Sequence, residues 1–139
     1  MPFIQNVSLQ NIVTGNHIRS NNCMLIQIVD PLYDFPTPIH HFNEVHRFEF
    51  LDIDEKNPNY TDLCEFAFTD QQAEYVVLLL RHALNNDMDV VVHCHAGVCR
   101  SGAITEIGVI LGFLDSGSHR IPNILVKNKM LRVLGLTYS

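Results

Sequence analysis

The sequence predicts an α/β domain with a mostly parallel central sheet flanked by helices, and three observations carry that expectation. Asp89-Val90-Val91-Val92-His93 is a short, continuous apolar run, as in a parallel strand covered on both faces. A well-signalled helix precedes it and a second helix-compatible stretch follows it. Strand, crossover helix, strand, turn and helix in succession is the pattern of a parallel sheet.

The elements can be justified in chain order. Met24-Leu25-Ile26-Gln27-Ile28-Val29 is an apolar run stopped by Asp30-Pro31, a buried strand ending in a turn. Residues 30–43 contain several prolines and read as an irregular connection. Residues 45–53 alternate well enough for a second strand, with Asp52 and Asp54 at its end, and Asn57-Pro58-Asn59 then breaks the chain. Thr69 and Gln72 have capping-box spacing, with Asp70 favourable in the first turn of the helix they open. Ala73, Val76, Val77, Leu80 and Leu84 recur at helical period as its buried stripe, which should end near Asn85-Asn86. After the 89–93 strand, residues 100–114 are helix-compatible and unusually apolar, with Gly117 as the expected C-terminal cap. A last helix is expected over residues 122–135, with Ile124, Leu125, Leu131 and Leu134 in the core.

Composition bounds the function. The chain has 139 residues, 47% apolar and 17% charged, which suits one domain over residues 1–139 that buries its own core. Its formal charge is −6, which argues against a surface for nucleic acid or an anionic membrane. No apolar run approaches the roughly 20 residues of a membrane span, and the N-terminus has no export-signal pattern. The four cysteines are therefore expected as thiols of a cytoplasmic protein.

The chemistry concentrates in His93-Cys94-His95-Ala96-Gly97-Val98-Cys99-Arg100-Ser101. A turn between a buried strand and a helix N-terminus gathers backbone N–H groups into an anion site. Those donors and Arg100 should lower the pKa of Cys94 below about 8.5. Arg100 brings a planar fork that grips two phosphoryl oxygens, and Gly97 permits the tight turn without filling the hollow.

Cys94-x5-Arg100, preceded by His93 and followed by Ser101, resembles the signature loop of the cysteine-based protein tyrosine phosphatases. The His-Cys-x-Ala-Gly-x-x-Arg-Ser form is closest to the compact dual-specificity group, especially small bacterial and phage-type members. Leu25-Ile26-Gln27-Ile28-Val29-Asp30-Pro31, Phe50-Leu51-Asp52-Ile53, Phe68-Thr69 and Pro122-Asn123 extend the likeness over most of residues 24–134. The resemblance implies a phosphatase fold of dual-specificity type and hydrolysis of a protein phosphomonoester without metal or cofactor. Cys94 would attack phosphorus and form a cysteinyl-phosphate, while Arg100 and the amides of His95, Ala96, Gly97, Val98, Cys99 and Arg100 hold the equatorial oxygens. Ser101 would hydrogen-bond the thiolate, and His93 would tune it from behind, with a plain hydrogen-bonded core histidine as the rival role.

The general acid is left among three carboxylates. Relatives carry Phe-Asp-Asp at the corresponding strand end, and Phe50-Leu51-Asp52 keeps the second position, which favours Asp52. Asp54 would share its face if the strand continued, and Asp62 lies closer to the Asp-to-Cys spacing of compact relatives. Cys94-x4-Cys99 also matches the loop spacing of low-molecular-weight tyrosine phosphatases, a likeness that implies trapping of an oxidised Cys94 by Cys99 as a disulfide, with Cys99 filling a serine-sized space as the rival role. The substrate rim is expected from residues 33–38 and the acid loop, with Tyr33, Phe35 and Tyr60 as candidates for stacking on an aryl group. Three other readings stand beside this one: a metal site using His93, His95, His40, His41 or His46; an inactive module that binds phosphorylated partners; and a phosphatase of phosphoinositides or RNA 5′ ends. A signature loop without lysine disfavours the last. The partner is expected to be a phosphorylated protein, with no nucleic acid or membrane; the oligomeric state is not readable.

Overall fold

A computed structural model describes residues 1–136. Five strands form one all-parallel sheet: β1 (Phe3–Ser8), β2 (Cys23–Val29), β3 (Glu44–Glu49), β4 (Asp89–Cys94) and the two-residue β5 (Leu114–Asp115). Their order is β3-β2-β4-β1-β5, so β4 lies at the centre. All seven residues of β2 are buried, which is why its sequence is nearly unbroken in apolar residues. Among the described residues there are five α-helices, α1 (Leu9–Thr14), α2 (Tyr60–Leu63), α3 (Asp70–Asn85), α4 (Arg100–Leu111) and α5 (Ile124–Val133), and a short 3-10 helix over Cys64–Phe66. Among the described residues, no helix is long and apolar enough to cross a membrane.

Strand alternation divides the core between two faces. Ile4, Met24, Ile26, Val90 and Val92 point into the larger cluster beneath α3, α4 and α5. Val7, Leu25 and Val91 point the other way, onto Ile12 of α1 and Phe42. The capping box of α3 forms as expected, with Thr69 Oγ1 accepting from Gln72 N and Gln72 Oε1 from Thr69 N. Helix α4 is buried almost all round, and Gly108 lets it approach Ile4 of β1: an added Cβ would stand 2.5 Å from Ile4 Cδ1.

Several expected boundaries move. β3 stops at Glu49, so Asp52 and Asp54 lie in irregular chain and do not share a strand face. Helix α4 ends at Leu111, and Gly112 at φ 126°, not Gly117, caps it. The chain must turn there because Leu114 and Asp115 pair with Phe3 and Ile4 of β1. Helix α5 begins after an Asn123 cap whose side chain accepts from Val126 N, and Ile124 is 40% exposed, outside the core. β1 was not read from sequence at all. Its buried Gln5 and Asn6 break the apolar pattern, and side-chain bonds to other segments offset their burial.

Candidate active site

The segment from Cys94 to Arg100 leaves the carboxyl end of the central strand and enters α4, the place where parallel sheets bind ligands. Gly97 is required there twice over. Its φ is +75°, and a Cβ would sit 2.4 Å from Val7 C and 2.5 Å from Ser8 N, inside the backbone of β1. Asn6 Nδ2 donates to Gly97 O at 2.7 Å, and Leu9 N donates to His95 O at 3.0 Å. On the opposite flank, Ile121 N bonds Val98 O at 3.2 Å and Asn123 N bonds Cys99 O at 3.0 Å. The loop is thus pinned from both sides by chain distant in sequence.

Cys94 is 3% exposed, and its Sγ accepts from Gly97 N at 3.2 Å and lies 3.2 Å from Ser101 Oγ. Sulfur at this point faces the N-terminal end of α4, whose field favours negative charge. Arg100 is equally buried. Its Nη1 donates to Asp30 Oδ1 at 2.7 Å and to Phe50 O at 2.8 Å, while its buried Nε has no acceptor among the described residues. The guanidinium is therefore fixed at one corner and keeps a buried donor for an anion, the arrangement a bidentate phosphoryl grip needs.

Residues 64–112 match a family model described as "Polymorphic toxin system, DSP-PTPase phosphatase". Over these residues the chain is similar to dual-specificity phosphatases. The match supports phosphatase activity and runs from the turn before α3 through β4 and the loop to the end of α4. It is shorter than the likeness read from sequence over residues 24–134, and it leaves Asp30 and Asp52 outside. No curated protein and no solved structure matches the chain.

Around the phosphatase-like loop, the carboxylates sort by position. Asp52 is exposed and tied to the loop through Asn123, whose Nδ2 donates to its Oδ1 at 2.8 Å and whose N–H donates to Cys99 O. Asp54 instead closes a local turn with Lys56 N at 2.9 Å and lines a separate cleft with Ile124 and Leu125. Asp62 is exposed on the short α2. The structure brings Asp52 to the loop and leaves the other two apart from it.

The two remaining loop-side residues behave differently from simple helpers of the sulfur. Burial pushes the pKa of His93 down to about 4, outweighing its bond to Cys94 O, so the ring is neutral at pH 7. Its Nδ1–H donates to that carbonyl at 3.1 Å, and its buried Nε2 has no partner among the described residues. Cys99 and Cys94 are both free thiols. Burial, and then the Asp52 carboxylate, raise the pKa of Cys99, so its thiol stays protonated at pH 7.

A cleft of about 240 Å³ opens beside the loop, lined by Leu9, Val29, Asp30, Tyr33, Asp34, His95 and Arg100 among others. Of the three aromatics expected at the rim, Tyr33 is there. Phe35 lies 5.5 Å beneath the Arg47 guanidinium, and Tyr60 packs against Ile53, Ala67 and Leu125. The sequence reading did not single out Asp30 and Asn6, which hold the Arg100 guanidinium and the Gly97 carbonyl. Asp30 carried a signal only as the polar stop after an apolar strand, and Asn6 carried none.

Proposed function

We propose that the protein is a cysteine-dependent phosphatase that hydrolyses phosphomonoesters on protein side chains, of tyrosine or dual specificity. The observation that carries the reading is the pairing of Cys94 Sγ with Gly97 N–H and Ser101 Oγ beside an Arg100 that, among the described residues, is anchored through Nη1. In the first step the Cys94 thiolate attacks phosphorus, the P–O bond breaks, and Asp52 gives its proton to the leaving oxygen. Arg100 and the loop amides hold the three equatorial oxygens as charge redistributes. In the second step the Asp52 carboxylate takes a proton from water, whose oxygen displaces sulfur, and Ser101 donates to the departing thiolate. Phosphate leaves and the starting ionisation states return.

The name of the matched family supports a toxin system as the setting. A nucleophilic thiol needs reducing surroundings, and on that ground the cytoplasm is the proposed place of action.

Hydrolysis of p-nitrophenyl phosphate by wild type, Cys94→Ser, Asp52→Asn and Asp62→Asn, with dithiothreitol and EDTA present, tests this. Turnover that survives EDTA, vanishes in Cys94→Ser and falls about 100-fold in Asp52→Asn but not in Asp62→Asn is the expected result. A folded, reduced wild type that binds vanadate without turnover would replace catalysis with a phosphate-binding module.

A further inference from the structure

The chain from Asp30 to Asp34 is built in an unusual way for a connection after a strand. Tyr33 N donates to Asp30 O at 3.1 Å across Pro31 and Leu32, closing a four-residue turn. Leu32 takes φ +72° in it, a conformation that glycine would hold without strain, and its side chain is 99% exposed. The turn thus holds a strained apolar side chain out in solvent beside the catalytic cleft. Tyr33 and Asp34 follow it into the cleft wall, next to His95 and Arg100.

The two carboxylates of this segment differ in what they face. Asp30 is committed to Arg100 at 2.7 Å, so the charges of that pair offset each other. Asp34 is exposed and has no cation of its own among the described residues. A substrate chain advances 3.8 Å per Cα, so residues adjoining the phosphorylated one pass over a cleft of about 240 Å³.

We propose that this turn reads the substrate beside the phosphate, with Asp34 selecting a lysine or arginine that flanks the phosphorylated residue. The inference rests on the phosphatase reading of Cys94 and Arg100. A flanking cation gains a partner at Asp34, whereas a flanking carboxylate meets like charge there and on a chain of formal charge −6. Leu32 gives the same substrate an apolar contact outside the cleft.

The test compares two phosphotyrosine peptides of equal length, one with arginine and one with glutamate on both sides of the phosphotyrosine. The value of kcat/KM is measured for wild type, Asp34→Asn and Asp34→Lys at low and high salt, with p-nitrophenyl phosphate in parallel. Reading the ratio of the two peptides within each protein cancels any general loss of activity. Wild type should favour the arginine peptide about three- to fivefold at low salt, the range of one exposed charge pair, and the preference should shrink in high salt. Asp34→Asn should bring the ratio close to one, and Asp34→Lys should invert it. Equal rates on both peptides in wild type, or a ratio that Asp34→Lys leaves unchanged, would overturn the inference while the phosphatase reading stands. Failure to turn over p-nitrophenyl phosphate as well would overturn both.

Discussion

Three segments meet on Arg100: its own helix, the end of β2 through Asp30, and the chain after β3 through the Phe50 carbonyl. A guanidinium 4% exposed cannot shed its charge, so its orientation depends on those two acceptors. Asp30 is accordingly a positioning residue that acts through Arg100. Asp30→Asn keeps an acceptor and removes the charge, and Asp30→Ala removes both. We expect kcat/KM for p-nitrophenyl phosphate to fall about tenfold in the first and more in the second, in line with a charge-assisted hydrogen bond. Inhibition by vanadate should weaken in parallel, because vanadate needs the same fork; an unchanged vanadate affinity would exclude the positioning role. Arg100 itself was legible in sequence, since its spacing from Cys94 is local and its chemistry specific. Asp30 was not, because its pairing spans 70 residues and its local appearance is that of any polar strand stop.

The loop is an element whose shape is set from outside itself. β4, the turn and α4 each announce themselves within a few residues, as an apolar run, a glycine and an apolar helix. β1 does not, because a strand carrying Gln5 and Asn6 looks polar until the partners of those side chains are known. Yet β1 gives the loop its form: its register sets Ser8 beside Cys94, and its backbone fills the space behind Gly97. Gly97→Ala should therefore abolish turnover and lower stability by several kcal/mol, since a left-handed φ and a backbone collision act together. Gly112→Ala is the matching control, with φ 126° but nothing within 4 Å of the added methyl. It should cost about 1 kcal/mol through conformation alone and leave p-nitrophenyl phosphate turnover intact. Equal losses in the two variants, by thermal melting and by rate, would show that the β1 contact is unimportant.

At the scale of the molecule, one buried titratable group ties the fold to pH. His93 is fully buried in the central strand, and burial lowers its pKa to about 4 from an ordinary 6.5. The unfolded chain therefore binds a proton near pH 6.5 that the native ring refuses until about pH 4. Its contribution to stability is complete above pH 6.5, declines as pH falls toward 4, and changes no further below that. Between pH 7.5 and pH 5 this group alone should remove about 2 kcal/mol, a large fraction of a typical domain's stability. The chain has no tryptophan, so urea unfolding followed by far-ultraviolet circular dichroism is the suitable measurement. His93→Leu should be less stable than wild type at pH 7.5, with the Cys94 carbonyl losing its donor. Its stability should fall less steeply with acid, so that the two curves converge near pH 5. Parallel curves would mean that His93 protonates in the native state as readily as in the unfolded chain, and that the strand beneath Cys94 is open to water.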